Sequence, residues 1–465
     1  MVCYSNTRIV RSNSTCPLLQ HAGDWDSGSG AKSFREPRPG KIGSLSSRLT
    51  VAARGVFSPA LIFVLRTKPH SGVSSATSRW AAVSVFALAS AWNYLDRLTL
   101  SAAAPRIRAE FHLTNTDFGW LLSAFALAYA IASPAVGWFL DRLGLETGII
   151  CAVALWSLAT AICGFTRTFG QLIGARVFLG IWESAGIPAA GKLNAIYLEP
   201  KDRAIGAAVT QVGLSIGGIG APLLVAAFTG WRSPFFICTA LGLGWIPLWI
   251  AVRRHIRPWA PVAPQRHVQP FQLLRDPRLI ALVVSNILWM GIYTLWSNWT
   301  TLYLVQSYNL TTVQAASYAW FPPLASTLGG FAGGWISQRA IHRGVPNVRA
   351  RVIGCFISAI GCLVTVLTPL SPSPLWATFA ISASYFWATA GSVNLYTIPL
   401  DIWGGERAGT AISALVFAYG LLQTAISPVI GSLVDHFGYA PVCWLVALPP
   451  LAGWYLLRRT VPLTP

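Results

Sequence analysis

Apolar runs at residues 117–140, 148–166, 206–228 and 351–369 constrain this chain more than any other feature. Each comes close to, or exceeds, the roughly 20 residues a helix needs to cross a bilayer. Backbone in lipid must satisfy its own hydrogen bonds, so repeated runs of this length leave helices packed on helices. Composition agrees. Of the 465 residues, 54% are hydrophobic and 11% charged, against about 25% charged in soluble domains. An all-α, polytopic membrane protein is expected.

The net charge of +19 is not a sign of nucleic-acid binding, because much of it lies outside the apolar region. Residues 1–79 carry eleven basic side chains against three acidic ones, and fourteen serines. Their longest apolar run, GVFSPALIFVL, is too short to span a membrane, and they lack the ordered features of a secretory signal. The segment is expected to be disordered; a transit peptide or a start site assigned too early are the other readings. The eight cysteines show no CxxC spacing and read as small buried apolar residues. No cofactor or metal is expected.

Twelve transmembrane helices fit between Trp80 and Leu457, with starts near residues 80, 115, 147, 169, 203, 231, 278, 312, 350, 374, 406 and 439. The division expected is a six-helix bundle over 80–252, a Pro/Arg-rich linker over 253–277, a second bundle over 278–457 and a tail over 458–465. Basic residues orient such a chain. Arg253, Arg254, Arg257, Arg266 and Arg275 in the linker, Arg339, Arg343, Arg349 and Arg351 further on, and Arg458 and Arg459 in the tail place both termini in the cytoplasm. Arg106 and Arg108 run against the rule but are outnumbered.

The two halves resemble each other. DRAIG (202–206) and ERAG (406–409) open corresponding spans, each followed by small residues and a proline, Pro222 or Pro428. GWFLDRLG (137–144) and GGWISQRAIHRG (333–344) close another pair. A duplicated bundle with a site between its halves is a common secondary-transporter plan.

GWFLDRLG is similar to the signature loop of the major facilitator superfamily. NYLDRLTLSAAAPRI, RVFLGIWESAGIPA, DRAIGAAV, GWRSPFF and PLDIWGGERAGTA together resemble its anion:cation symporter branch, which includes hexuronate and galactonate transporters. The resemblance runs from about Trp80 to Leu457. It implies two pseudo-symmetric six-helix bundles and transport of a small organic anion. Within the signature loop it implies a gate formed by Gly137, Asp141, Arg142 and Gly144.

Asp96 and Arg97 sit side by side in an otherwise apolar span, where ionisable residues are expensive and commonly functional. They point about 100° apart on a helix. Either they lie beyond the membrane, or both face a watery cavity. Arg176, Gly180 and Glu183 share one face of another span and favour the cavity. Arginine keeps its charge and offers a planar fork that matches a carboxylate. Burial and nearby arginines act on a carboxyl group in opposite senses, which suits a titrating role.

The resemblance assigns proton coupling to Asp96 and Glu183 and the anionic substrate to Arg97 and Arg176, with Arg97 favoured as the direct ligand. Tyr94, Tyr129 and Gln211 match positions that bind or line the site in sugar-acid carriers; helix packing is the competing explanation for each. A stripe of Trp289, Tyr293, Trp296, Thr300 and Tyr303 reads more readily as bundle packing than as substrate contact. Three departures from the family pattern stand out: Thr301 for a common Pro, Gln338 for an Asp in the second signature loop, and Phe417 for a common Asn.

The function expected is proton-coupled uptake of a small organic anion, a sugar acid or other carboxylate, by a monomer in the bacterial inner membrane. An anion exchanger or facilitated carrier would use the same residues. A membrane enzyme is disfavoured by short loops without a His/Asp/Glu cluster. A ligand-binding membrane sensor is the other non-transport reading.

Overall fold

The structure, a computed structural model, describes residues 76–199, 202–254 and 275–461, with Ile256 and Leu273. The expected disordered extension lies outside these residues except for its last four, which already belong to the first helix. Most of the 253–277 linker and the final four residues of the tail also lie outside them.

The first half comprises α1 (Ala76–Phe111), α2 (Asn115–Leu143), α3 (Leu145–Phe165), α4 (Phe169–Glu183), α5 (Gly186–Tyr197), α6 (Arg203–Ala226) and α7 (Arg232–Arg253). The second comprises α8 (Pro277–Tyr308), α9 (Thr312–Ala319), α10 (Phe321–His342) and α11 (Asn347–Cys362), which continues as a 3-10 turn over Leu363–Leu370. It ends with α12 (Pro374–Phe437), α13 (Tyr439–Ala447) and α14 (Pro449–Thr460). Eight segments among the described residues are long and apolar enough to cross a membrane. The chain is an integral, multi-pass membrane protein.

Proline explains most of the breaks. Pro188 has no N–H to return to the Ser184 carbonyl, and α4 ends at Glu183. Pro322 and Pro323 open α10, and Pro449 and Pro450 open α14. In α12 the two arms meet at Gly404, whose φ of 64° lies in the left-handed region.

Matching devices recur in the two halves. Thr114 and Asp117 form a capping box at the start of α2, as Thr311 and Gln314 do at the start of α9. Gly144 and Gly344, with φ of 79° and 84°, turn the chain after the two signature segments. Arg106, on the wrong side for the charge rule, has a local partner. It donates to the Val225 and Phe228 carbonyls at 2.9 and 2.6 Å and so caps the C-terminus of α6.

Alternation of the helices puts Ala76 and Thr460 at one end of the bundle, here the near end. The turns around residues 112–114, 309–311 and 438 lie at the far end. There the halves are locked together. The Asp435 carboxylate accepts hydrogen bonds from the Asn115 and Thr116 backbone N–H groups at 3.0 and 2.8 Å, and from both side chains at 2.8 and 2.7 Å. Gln306 bridges Asn115 and Tyr439 at 3.2 and 2.7 Å. Ser123 donates to the Thr424 carbonyl.

The same two helices separate toward the near end. A Cβ at Gly119 would overlap the Ser427 carbonyl, and one at Gly431 the Asn115 carbonyl. Gly137 is 18 residues from Gly119, five turns along the same face of α2. Gly409 lies on the Gly431 stripe of α12. A Cβ at either Gly137 or Gly409 would meet nothing within 4 Å. The halves touch at the far end and splay at the near end.

Candidate functional site

Asp96 and Arg97 lie midway along α1, and Arg176 and Glu183 face them from α4. Gly180 makes the approach possible. A Cβ there would lie 2.6 Å from the Phe125 carbonyl of α2, so α4 rests directly on the α2 backbone. The closeness sets Arg176 over the Phe125 ring at 4.5 Å and brings Glu183 to Arg97. Arg97 Nε donates to Glu183 Oε2 at 3.2 Å. Its guanidinium lies 5.0 Å from the Phe125 ring centre, 4.8 Å from that of Tyr129 and 5.7 Å from that of Tyr94. Phe125 thus has two arginines near its ring, a favourable use of its quadrupole in desolvated surroundings.

Access differs sharply within this tetrad. Asp96 and Arg176 are 1% exposed and Glu183 is 0% exposed, whereas the Arg97 side chain retains 21%. Asp96 turns away from the interface into the first half, where Thr160 Oγ1 donates to its Oδ2 at 3.2 Å. Arg176 Nε and Nη1, Asp96 Oδ1 and Glu183 Oε1 are buried without hydrogen-bond partners. Unpaired buried charge is expensive. The tetrad has spare valence, and Arg97 is its exposed member.

Beside it, a cavity of about 50 Å³ lies between the halves. Tyr94 and Gln211 line it, as do Tyr293, Trp296 and Tyr385 of the second half. Tyr94 and Tyr293 are hydrogen-bonded hydroxyl to hydroxyl across the interface. Ser101 donates to Asn298 at 3.2 Å, and Thr327 to Ser215 at 2.6 Å. Ligand pockets are commonly about 300–1,000 Å³, and this cavity is smaller.

The structure therefore gathers Asp96, Arg97, Arg176, Glu183 and Tyr129 into one cluster and sets Tyr94 between that cluster and the cavity. Gln211 is exposed on the cavity wall, apart from the charges. Gly137 and Gly144 stand at the near end, and Arg142 lies 5.4 Å from the Trp138 ring centre. The side chain of Asp141 lies outside those described. The α8 stripe divides: Trp289, Trp296 and Tyr303 are buried in the second half, while Tyr293 reaches across to Tyr94. Where Gln338 replaces an acid it bonds His342 at 3.3 Å. An ion pair is still present in that half, Arg351 with Asp401 at 3.4 Å.

Sequence reasoning missed Phe125, Thr160, Tyr385 and Tyr419, the last of which packs edge-on against Tyr293 at 5.9 Å. Phe125 is four residues before Tyr129 and thus on the same face, a usable signal. The two tyrosines of the second half carry no comparable mark. Among the described residues no group of three His, Cys, Asp or Glu is placed to hold a metal ion.

Two helical halves, joined at one end, parted at the other and enclosing a buried charged cluster, define a membrane protein of the carrier class. The chain belongs to the major facilitator superfamily, whose sequence profile matches residues 85–423. It is 26% identical to the hexuronate transporter of Escherichia coli (strain K12), over 82% of this chain and 94% of that one. It is 28% identical to the probable sulfoacetate transporter of Cupriavidus necator, over 74% and 85% of the two chains. Its fold matches the crystal structure of a bacterial homolog of the human lysosomal transporter Spinster with a TM-score of 0.63, at 21% identity, over 83% and 95% of the chains. The family and these relatives are transporters, not enzymes.

Proposed function

We propose that this protein is a proton-coupled carrier of a small organic anion that works by alternating access. The observation that carries the reading is the Arg97–Glu183 pair, buried on the Glu183 side and open on the Arg97 side. Arginine presents a fork suited to a carboxylate and keeps its charge throughout the cycle. An incoming anion competes with Glu183 for Arg97. Displaced, the buried Glu183 carboxylate loses its hydrogen-bonded counterion, which favours taking up a proton from water. The loaded site then holds a neutral acid and a neutralised arginine, and the halves can close around it. A site loaded with only one partner keeps a buried unpaired charge and resists closure.

Asp96 and Arg176 fit a supporting part. Sealed within the first half, they bias the charge state of Glu183 without touching the solute. Relatives named as a hexuronate transporter and a probable sulfoacetate transporter support an organic anion as the class of cargo. We further place the near end in the cytoplasm of a bacterial inner membrane, which makes this conformation inward-open. Twelve crossings, divided into halves at 80–252 and 278–457, complete the topology.

Purified protein in liposomes, with acid imposed outside, tests the reading. Accumulation of a labelled sugar acid driven by the pH gradient supports it. Exchange of internal for external anion with no response to the gradient assigns the alternative, an exchanger.

A further inference from the structure

The near ends of the two halves treat one helix contact in opposite ways. In the first half the start of α3 lies beside the end of α7; in the second, the start of α11 lies beside the end of α14. Glu146, in the first turn of α3, pairs with Arg253, the last residue of α7, at 2.7 Å. A carboxylate there also suits the helix dipole. The second half has no such acid. The first turn of α11 carries Arg349, and the last turn of α14 carries Arg458 and Arg459. Arg349 thus opposes the dipole of its own helix. All three side chains are exposed, and no ion pair among the described residues includes any of them. Both helices offer a cation, and neither offers its counterion.

Beneath these arginines lies an aromatic floor. Phe356 of α11 and Trp454 of α14 meet with ring centroids 4.4 Å apart. Phe356 is two turns from Arg349, and Trp454 is one turn from Arg458, so both arginines stand over the same groove. The Arg458 guanidinium lies 5.6 Å from the Trp454 ring centre. Away from the near end the apolar track continues: Ile353, Phe356, Ile357 and Ile360 form one exposed stripe on α11 at helical spacing.

We propose that the groove between α11 and α14 binds one anionic phospholipid, its phosphate between Arg349 and Arg458 and an acyl chain along Phe356 and the isoleucine stripe. The phosphate supplies the negative charge that Glu146 supplies in the first half. Phosphate oxygens match the arginine fork. The aromatic and aliphatic track fits a lipid and has no use for free inorganic phosphate. The site lies outside the bundle interface and does not depend on how the Arg97–Glu183 pair works.

Native mass spectrometry of the full-length protein, titrated with phosphatidylglycerol or phosphatidylcholine, measures the first lipid bound. Melting in micelles doped with the same lipids measures its effect. Phosphatidylglycerol should bind at least ~10-fold more tightly than phosphatidylcholine and raise the melting temperature. Arg349→Gln with Arg458→Gln should weaken phosphatidylglycerol binding at least ~10-fold. Arg339→Gln with Arg343→Gln, which removes two near-end charges off the groove, should leave it nearly unchanged. Equal losses in the two double variants would reduce the effect to overall charge and overturn the site. Protection by inorganic phosphate equal to that by phosphatidylglycerol would overturn the lipid assignment.

Arg349→Glu supplies the missing acid opposite Arg458 and gives a readout that a damaged fold cannot mimic. It should melt higher than the wild-type protein in phosphatidylcholine micelles and lose the response to phosphatidylglycerol. A wild-type response to phosphatidylglycerol in that variant would overturn the proposal.

Discussion

The first half of this molecule holds two acids and two arginines at its centre, all but Arg97 buried, whereas the facing interior of the second half is neutral over three long stretches. Both halves share architecture: paired capping boxes, paired turn glycines and proline-broken helices. What differs is which face a polar side chain serves. In the first half Gly180 lets α4 lie on α2, and the space gained is filled by guanidinium and carboxylate against an aromatic ring. In the second, Gly391 performs a similar service for an indole, Trp289, whose Nε1 donates to the Ala388 carbonyl at 2.8 Å. On the proposed reading, one half changes charge state and the other provides a fixed polar wall.

The contrast breaks most visibly at Arg97. Arg97→Gln strands the buried Glu183 carboxylate, a loss of about 3–5 kcal/mol for one partner of a buried pair, and uptake should fall to background. Arg97→Lys keeps the charge but loses the fork; full affinity in that variant would remove Arg97 as the group that meets the anion. Glu183→Gln comes next. We expect anion exchange to persist and gradient-driven accumulation to vanish, and unchanged accumulation would take Glu183 out of the coupling role.

A second contrast, far end against near end, predicts smaller and directional effects. Gly431→Leu cannot be accommodated against the Asn115 carbonyl, and overpacking of this kind costs about 1–3 kcal/mol. Gly409→Leu, on the same stripe, meets open space in this conformation. The first should lower the melting temperature; the second should leave it unchanged and slow transport, because the near end must close during the cycle. Similar melting temperatures for the two would contradict the splayed arrangement. Asp435→Asn weakens charge-assisted bonds to the start of α2, each worth about 1.5–3 kcal/mol. It should increase labelling of a cysteine placed at Ser123 about tenfold or more.

The smallest effect is expected in the second half. Tyr293→Phe removes the bond to Tyr94, worth about 1 kcal/mol, and should raise the half-saturating concentration several-fold with coupling intact. Loss of coupling in that variant would mean the charged half does not act alone.

Much of this layout was legible in the sequence, because apolar run length and proline position act locally. Eleven of the twelve expected starts have a helix start within four residues, the largest shift being at Ala76, and the twelfth, near 406, falls just past the Gly404 kink inside α12. Arg176, Gly180 and Glu183 share a face by helical spacing, so their common orientation was readable too. Pairing was not. Nothing in the spacing says that Glu183 reaches Arg97 while Asp96 turns to Thr160, since that depends on how closely α4 rests on α2. The locking of Asp435 onto α2 joins residues 320 apart in sequence and depends on one conformation of the cycle. Tyr385 and Tyr419 lie in ordinary apolar context, and their role emerges once α8 and α12 are packed together.

The central claim is that anion and proton enter as one event at the Arg97–Glu183 pair. Liposomes holding the purified protein and a pH-sensitive dye inside test it when D-galactonate is added outside at equal pH. The account predicts acidification of the lumen that depends on the sugar acid and is lost in Glu183→Gln. Uptake of the labelled acid by the wild-type protein without any lumenal acidification would contradict it.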